Sequence, residues 1–389
     1  MVALYNESMK KITVSASSFE DLRTKGDSVY VDKTECVYEL VRHELNNYYF
    51  LSRPFGFGKS LMCSTLQALF EGKRELFKGL YIDSTDYSFE KFPVLHFNFA
   101  DIDASSYANF LRSFQECIIK EAKENEVKVE RGLPSEMLMS ILRRSKKKVA
   151  VIIDEYDAPL IQASGNNEVA DRIKMVFGTF YAIIKNSDDK IRFCFVTGVT
   201  PYSAYSPISE MNNLTNITFR ENFATAFGYT EEELESNFSE FIDAYMSRTD
   251  REYEKREDFI EAVRNFYGGY KFTYESEVKL YNSASVGSFF NGNCCFNNYW
   301  NDTEASSLAV NLARGLNLDF DNARIDVNSI VYFDYLQLAT AHNFDSYDVL
   351  TLMYFAGYLT IKEGTRNVLT LSFPNTEVRT FFAKSLADK

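Results

Sequence analysis

The sequence predicts an α/β fold, a mostly parallel sheet with helices on both faces, and three observations carry that prediction. From Tyr48 to about Thr200, short apolar segments alternate with longer segments of helical spacing. The short segments "YYFLS" (48–52), "PVLHFNF" (93–99), "VAVIID" (149–154) and "IRFCFVTGV" (191–199) lack strict polar alternation, as strands buried on both faces do. A glycine-containing loop, "SRPFGFGKS" (52–60), separates the first strand from the helix after it.

In chain order, Leu61, Met62, Leu66, Leu69 and Phe70 recur at helical spacing after that loop. Two helices follow the second strand, at 107–123 and 134–144, and another at 169–186 precedes the fourth. Beyond Phe219 the pattern turns mainly helical. Thr230 and Glu233 have the spacing of a capping box, and Leu234, Phe238, Phe241, Ile242 and Tyr245 form one apolar stripe. A charged stretch at 250–258 leads into a helix that ends near Tyr267, where Gly268 and Gly269 stop it. The Asn-, Ser- and Gly-rich run 282–301 reads as a loop, the best candidate for a hinge or boundary.

The tail opens with helical spacing at Val349, Leu352, Met353 and Phe355. Two strand-like pieces, "YLTIKE" and "VLTLSF", lie either side of 364–367, and a last helix starts at Thr376. Helix, hairpin, helix is how a winged-helix module ends, and a plain packing domain is equally compatible. The expected division is a nucleotide domain at 1–219, a helical lid at 220–305 and a winged-helix-like region at 306–389.

Composition narrows the function classes. The chain has 389 residues, 46% hydrophobic and 25% charged, which fits folded domains rather than disorder. Its 34 Phe and 25 Tyr against one Trp point to well-packed cores before an aromatic ligand platform. A net charge of −13 repels nucleic acid and acidic membranes unless a local patch overrides it. The basic run "RRSKKK" (143–148) is such a patch in principle, but it also suits the C-terminus of a helix. Apolar runs are far too short to span a bilayer, and "ITVSASSF" after Lys10 and Lys11 is too polar for a signal peptide. Six cysteines without C-x-x-C spacing and three unclustered histidines give no metal or disulfide framework. The expectation is a reduced, cytoplasmic protein.

The loop "SRPFGFGKS" stands where a strand feeds a helix N-terminus, so its backbone N–H groups and the helix dipole face any bound phosphate. Lys59 would reach the β- and γ-phosphates, and the Ser60 hydroxyl would enter a magnesium shell. The full phosphate-loop pattern has glycine where this chain has Arg53; Gly56 and Gly58 restore the close backbone approach. The candidate nucleotide contacts are Arg53, Pro54, Phe55, Gly56, Phe57, Gly58, Lys59, Ser60 and Leu61. "VAVIIDEYD" ends a buried strand in Asp154, which would reach the magnesium, and Glu155, which would polarise an attacking water. Thr197 ends the next strand where a polar side chain would contact the γ-phosphate or that water.

Taken together, these segments resemble the predicted AAA-ATPase-like family of phosphate-loop NTPases, often fused to a C-terminal PD-(D/E)XK nuclease-like domain. The likeness runs in order through "YVDKT", "SRPFGFGKS", "IIDEYDAPL", "VTGVTPYS", "MNNLTNIT", "FGYTEEEL", "YGGYKF", "YNSAS", "NYW" and "FPNTEVR". It implies binding and hydrolysis of ATP with magnesium through Lys59, Ser60, Asp154 and Glu155, and a pocket framed by Asp32 and Lys33. The family loop usually reads R-P-R-R-F-G-K-S, so Phe55 and Gly56 replace two arginines; Pro201 and Ala204 stand where lysines are usual. Both changes point to slow hydrolysis, a nucleotide switch rather than a motor. The sequence ends about where a nuclease-like domain would begin, so nuclease activity is not expected. The alternatives are a degenerate fold serving as a protein-interaction or self-association module, and a winged-helix nucleic-acid binder that the charge disfavours.

Overall fold

Four strands of the first half are β1 Tyr48–Ser52, β2 Val94–Asn98, β3 Val149–Asp154 and β4 Ile191–Gly198; a two-residue β5 is Thr215–Asn216. They form one all-parallel sheet in the order β2-β3-β4-β1-β5. The structure, a computed structural model, describes residues 9–14, 17–43, 47–163, 166–200, 207–300, 304–314, 319–326, 346–365 and 367–387. Every residue of β1 and β3 is buried, which explains why neither segment alternates.

Helices α1 Phe19–Thr24 and α2 Thr34–Val41 precede the sheet; parallel neighbours need crossover connections, and α3 Lys59–Phe70, α4 Tyr107–Glu124, α5 Pro134–Arg144, α6 Ala158–Gln162 and α7 Asn167–Lys185 supply them. The phenylalanines go into packing. Phe99, Phe110, Phe114, Phe177 and Phe180 form one fully buried cluster beside α4 and α7, with Phe99 stacked on Phe177 at 5.0 Å between ring centroids.

The second half contains α8 Glu231–Asn237, α9 Ser239–Met246, α10 Arg256–Tyr267, α11 Ser283–Asn291 and α12 Glu304–Ala313, then β6 Ala323–Asp326, α13 Ser346–Ala356, β7 Thr360–Gly364, β8 Val368–Ser372 and α14 Thr376–Ala387. The capping box forms as expected: Glu233 N donates to Thr230 Oγ1 at 3.1 Å and Thr230 N to Glu233 Oε2 at 2.8 Å. The apolar stripe is buried, but the chain breaks at Phe238 (φ −109°, ψ 15°) and divides the stripe between α8 and α9. At the tail, β6 pairs with β8 on the side away from β7, giving a three-stranded antiparallel sheet.

The run 282–301 is not the loop its composition suggests. Ser283–Asn291 is helical, with the Asn282 side chain accepting from Ala284 N and Ser285 N. Val286, Phe289 and Phe290 are buried on its inner face. Low helix propensity of Ser, Asn and Gly hides a helix that capping and burial stabilise.

No helix among the described residues is long and apolar enough to cross a membrane. The basic run is locally engaged: Arg144 donates to the Lys128 carbonyl, and Lys147 pairs with Glu90 at 2.9 Å.

One buried carboxylate gives the fold a pH signature. Glu121 on α4 is 2% exposed and accepts from His96 N at 2.8 Å. Burial pushes its carboxyl from 4.5 up to about 7, while burial pushes the neighbouring His96 down to about 4, keeping it neutral across that range. A raised carboxyl contributes stability that is complete below pH 4.5 and lost as pH rises through about 7. Glu121→Gln should therefore be more stable than the parent at pH 8 by about 1–3 kcal/mol, with the difference vanishing near pH 4.5. Urea unfolding at the two pH values checks this; an equal difference at both contradicts it.

Candidate nucleotide-binding site

The site lies outside the carboxyl ends of the parallel strands, where α/β sheets place ligands. At the end of β1 the chain is fixed to the sheet, because Arg53 N donates to the Gly198 carbonyl at 3.2 Å. The Arg53 side chain, 1% exposed, turns inward. It donates to the carbonyls of Ser52 (2.9 Å), Thr218 (2.8 Å) and Phe223 (3.2 Å), and it lies 4.3 Å from the Phe272 ring centroid. Its guanidinium is a clamp on the backbone beneath the loop. Burial lowers its pKa to about 10, which leaves it charged.

Beyond Arg53 the loop needs glycine at two points. Gly56 (φ +83°) and Gly58 (φ +94°) both occupy the left-handed region. Gly58 is the N-cap of α3 and offers no side-chain cap. From Gly56 to Leu61 the backbone N–H groups find no acceptor among the described residues. A helix N-terminus with its donors open is a ready anion site.

Lys59 is 4% exposed. Its ammonium stands 3.2 Å from Glu155 Oε1 and 3.4 Å from the Pro54 carbonyl. Glu155 follows β3 in a left-handed conformation, φ +49°, which costs about 1–3 kcal/mol for a residue with a Cβ. That turn takes the chain out of the strand just as Glu155 N closes on Asp154 Oδ1 at 3.0 Å. Asp154 is 1% exposed. Burial first, and the Glu155 charge second, push its carboxyl up to about 6, while a hydrogen bond from Ser60 pulls it back. Thus β1, α3 and β3 bring together Lys59, Ser60, Asp154 and Glu155.

The remaining predicted residues divide. Leu61 and Phe55 through Gly58 line the cavity at this site. Thr197 is fully buried and donates to the Leu51 carbonyl at 2.7 Å, tying β4 to β1. Asp32 is engaged by Thr34 N (2.8 Å), Thr34 Oγ1 (2.7 Å) and Tyr81 N (2.7 Å), holding the turn into α2. Its neighbour Lys33 lines the cavity, donating to the Thr225 carbonyl and to both oxygens of Glu233. Pro201 and Ala204 lie outside the described residues.

Sequence reasoning missed three contributors. Asp157, just past Glu155, accepts from Thr200 N and Thr200 Oγ1, both at 2.6 Å, and fixes the chain leaving β4; burial, then Glu155, push its carboxyl up. Gly228 N donates to the Phe57 carbonyl at 3.0 Å. Asn282 Nδ2 donates to the Phe55 carbonyl at 3.0 Å. Asn282 was findable, because Asn before Ser-Ala-Ser with Val286, Phe289 and Phe290 at helical spacing is an N-cap signature.

The cavity holds about 180 Å³. Its lining includes the polar Lys59, Ser60 and Glu155 and the largely apolar Tyr30, Val31, Met62, Tyr229 and Phe238. Magnesium keeps most of its waters and uses one or two carboxylates plus substrate phosphates. The buried Asp154 carboxylate and the neighbouring Ser60 hydroxyl fit that demand.

A parallel sheet, an open-amide loop and opposed acidic residues are consistent with a phosphate-loop fold. Residues 13–209 match the family described as Predicted AAA-ATPase. The uncharacterized protein in the vnfD 5' region of Azotobacter chroococcum mcd 1 is 30% identical over 394 residues, covering 97% of this chain and 70% of that protein. The chain belongs to the predicted AAA-ATPase family.

The glycine at position 56 has a steric reason. A Cβ there would lie 2.7 Å from Asn282 Oδ1 and 3.1 Å from Ala284 Cβ. Gly56→Arg should destabilise the chain by about 1–3 kcal/mol and weaken nucleotide binding, despite the added charge. Chemical denaturation and ATP titration check this; a Gly56→Arg protein of parental stability would remove the steric account.

Proposed function

We propose that this chain binds a nucleoside triphosphate with magnesium, ATP by family expectation, and hydrolyses it slowly as a nucleotide switch. The observation that carries the reading is the run of open N–H groups from Gly56 to Leu61 around the buried Lys59, with Glu155 and Asp154 opposite. In this reading 1–219 is the nucleotide domain, 220–305 a helical lid and 306–389 a winged-helix-like unit. Support for the last is its helix, hairpin and helix with β6 added at the edge.

An incoming triphosphate offers Lys59 stronger acceptors than Glu155, so the ammonium moves to the β- and γ-oxygens. Glu155 is then free to hold a water and accept its proton. The water oxygen bonds to the γ-phosphorus as the bridging P–O bond breaks, leaving a nucleoside diphosphate and phosphate. Magnesium between Ser60 and Asp154 would neutralise charge on the phosphate oxygens. The apolar lining residues Tyr30, Met62 and Phe238 suit a planar base.

Slow turnover follows from the cations. Among the described residues no arginine lines the cavity, and Lys33 is held by Glu233. A single arginine is worth 10³–10⁵ in rate in other nucleotide hydrolases, so turnover is expected on the order of one per minute or less. The same observation favours a second reading, a protein-interaction module that binds nucleotide without turnover.

Lys59→Ala should abolish ATP binding in a chain that still folds. Glu155→Gln should retain binding and lose hydrolysis. Isothermal titration and single-turnover assays separate the readings: hydrolysis unchanged by Glu155→Gln removes its role as base, and binding without turnover in the parent selects the interaction module.

A further inference from the structure

Three successive carbonyls of the phosphate loop are held by donors from the lid half of the chain. Asn282 Nδ2 meets the Phe55 carbonyl at 3.0 Å, Ala284 N meets Gly56 at 3.0 Å, and Gly228 N meets Phe57 at 3.0 Å. The described peptide bonds are all trans. In a trans peptide the C=O and the following N–H point in opposite directions across one rigid plane. Holding the carbonyls of Phe55, Gly56 and Phe57 therefore aims the N–H groups of Gly56, Phe57 and Gly58 the other way, where no group among the described residues accepts them.

We propose that Asn282 is a positioning residue for nucleotide binding, setting the direction of the phosphate-loop amides from the N-cap of α11. Asn282 is 2% exposed and its amide is used at both ends. Its Oδ1 accepts from Ala284 N at 2.9 Å and Ser285 N at 3.1 Å, capping α11, while Nδ2 holds the loop. Reversing the amide would put Nδ2 against two donors and Oδ1 against a carbonyl, so the contacts fix its orientation. Capping needs only the acceptor. Holding the loop needs the donor, and no other common N-cap residue supplies one with this reach.

That division gives the test, which rests on the nucleotide reading above. Asn282→Ser keeps a neutral N-cap but cannot reach Phe55. Asn282→Asp keeps the cap and the shape, and replaces the donor with a carboxylate. For the full chain, three quantities are read: ligand-free melting temperature, amide hydrogen exchange across 55–61, and affinity for Mg·ATP. Both variants should melt close to the parent, exchange faster in the loop, and bind Mg·ATP roughly tenfold more weakly. Parental affinity in Asn282→Ser overturns the proposal, even if Asn282→Asp binds poorly through charge repulsion alone. A fall in melting temperature without faster loop exchange also overturns it, since that is a capping effect. If the parent binds neither ATP nor GTP, the nucleotide reading fails and this role with it; faster loop exchange in both variants would then show only that Asn282 orders the loop.

Discussion

A protein that binds phosphate through its backbone must keep a run of amides unpaired in the native state. Unpaired polar groups are unfavourable, more so the deeper they lie, and a flexible loop would relax by turning them toward any nearby carbonyl. Here that relaxation is blocked from both ends. Arg53 fastens the start of the loop to β4 and to the carbonyls of Thr218 and Phe223, and α3 fixes its end. Between these anchors the loop carbonyls are already taken by Asn282, Ala284 and Gly228. The open amides are the remainder after every other loop group has been satisfied.

The same logic orders the charges. Lys59, Asp154, Glu155 and Asp157 share one small region, and three of them are nearly inaccessible to water. Burial first, and the Glu155 charge second, raise the pKa of both Asp154 and Asp157. Asp157 is relieved by donors from Thr200, Asp154 by Ser60, and Glu155 by Lys59. Of these, the Glu155–Lys59 pair is the partly exposed one, with Glu155 at 20% side-chain exposure. It is the contact that an incoming anion can exchange without unfolding anything.

Legibility in the sequence followed the range of the interaction. Strands β1 to β4, α5 and the Thr230–Glu233 capping box were readable because each is fixed by its own burial, periodicity or spacing. The grouping of Lys59, Ser60, Asp154 and Glu155 was readable because strand-loop-helix and strand-acid patterns are local. Arg53 was not: its residue type and place suggest a phosphate contact, and only Thr218, Phe223 and Phe272, far along the chain, turn it inward. Helix α11 was masked by a composition that argues against a helix, and its one local signal was the Asn282 cap ahead of Val286, Phe289 and Phe290. The break at Phe238 likewise leaves no local mark, since the apolar stripe runs unbroken through it.

Long-range dependence also links the phosphate loop to the tail. Gly357, in the left-handed turn after α13, fits between Trp300 and Pro54; a Cβ there would lie 2.6 Å from the indole and 2.8 Å from Pro54. Tyr270 donates to the Gly357 carbonyl at 3.2 Å, and its ring meets Phe57 edge-on at 4.8 Å. On the other side, Glu377 of α14 accepts from Tyr299 N at 2.7 Å, and its backbone carbonyl accepts from Asn298 Nδ2 at 3.0 Å. Burial pushes Glu377 up to about 7, so its place against Tyr299 is sensitive to any rearrangement that would admit water. The loop is thus gripped by α11 and by the turn after α13, and α14 holds the segment at Asn298 and Tyr299 that follows α11. Packed interfaces of this kind move between discrete arrangements rather than deforming smoothly. A displacement of the loop carbonyls on one side and a displacement of the tail on the other must therefore be accommodated by the contacts at Asn282 and Gly357.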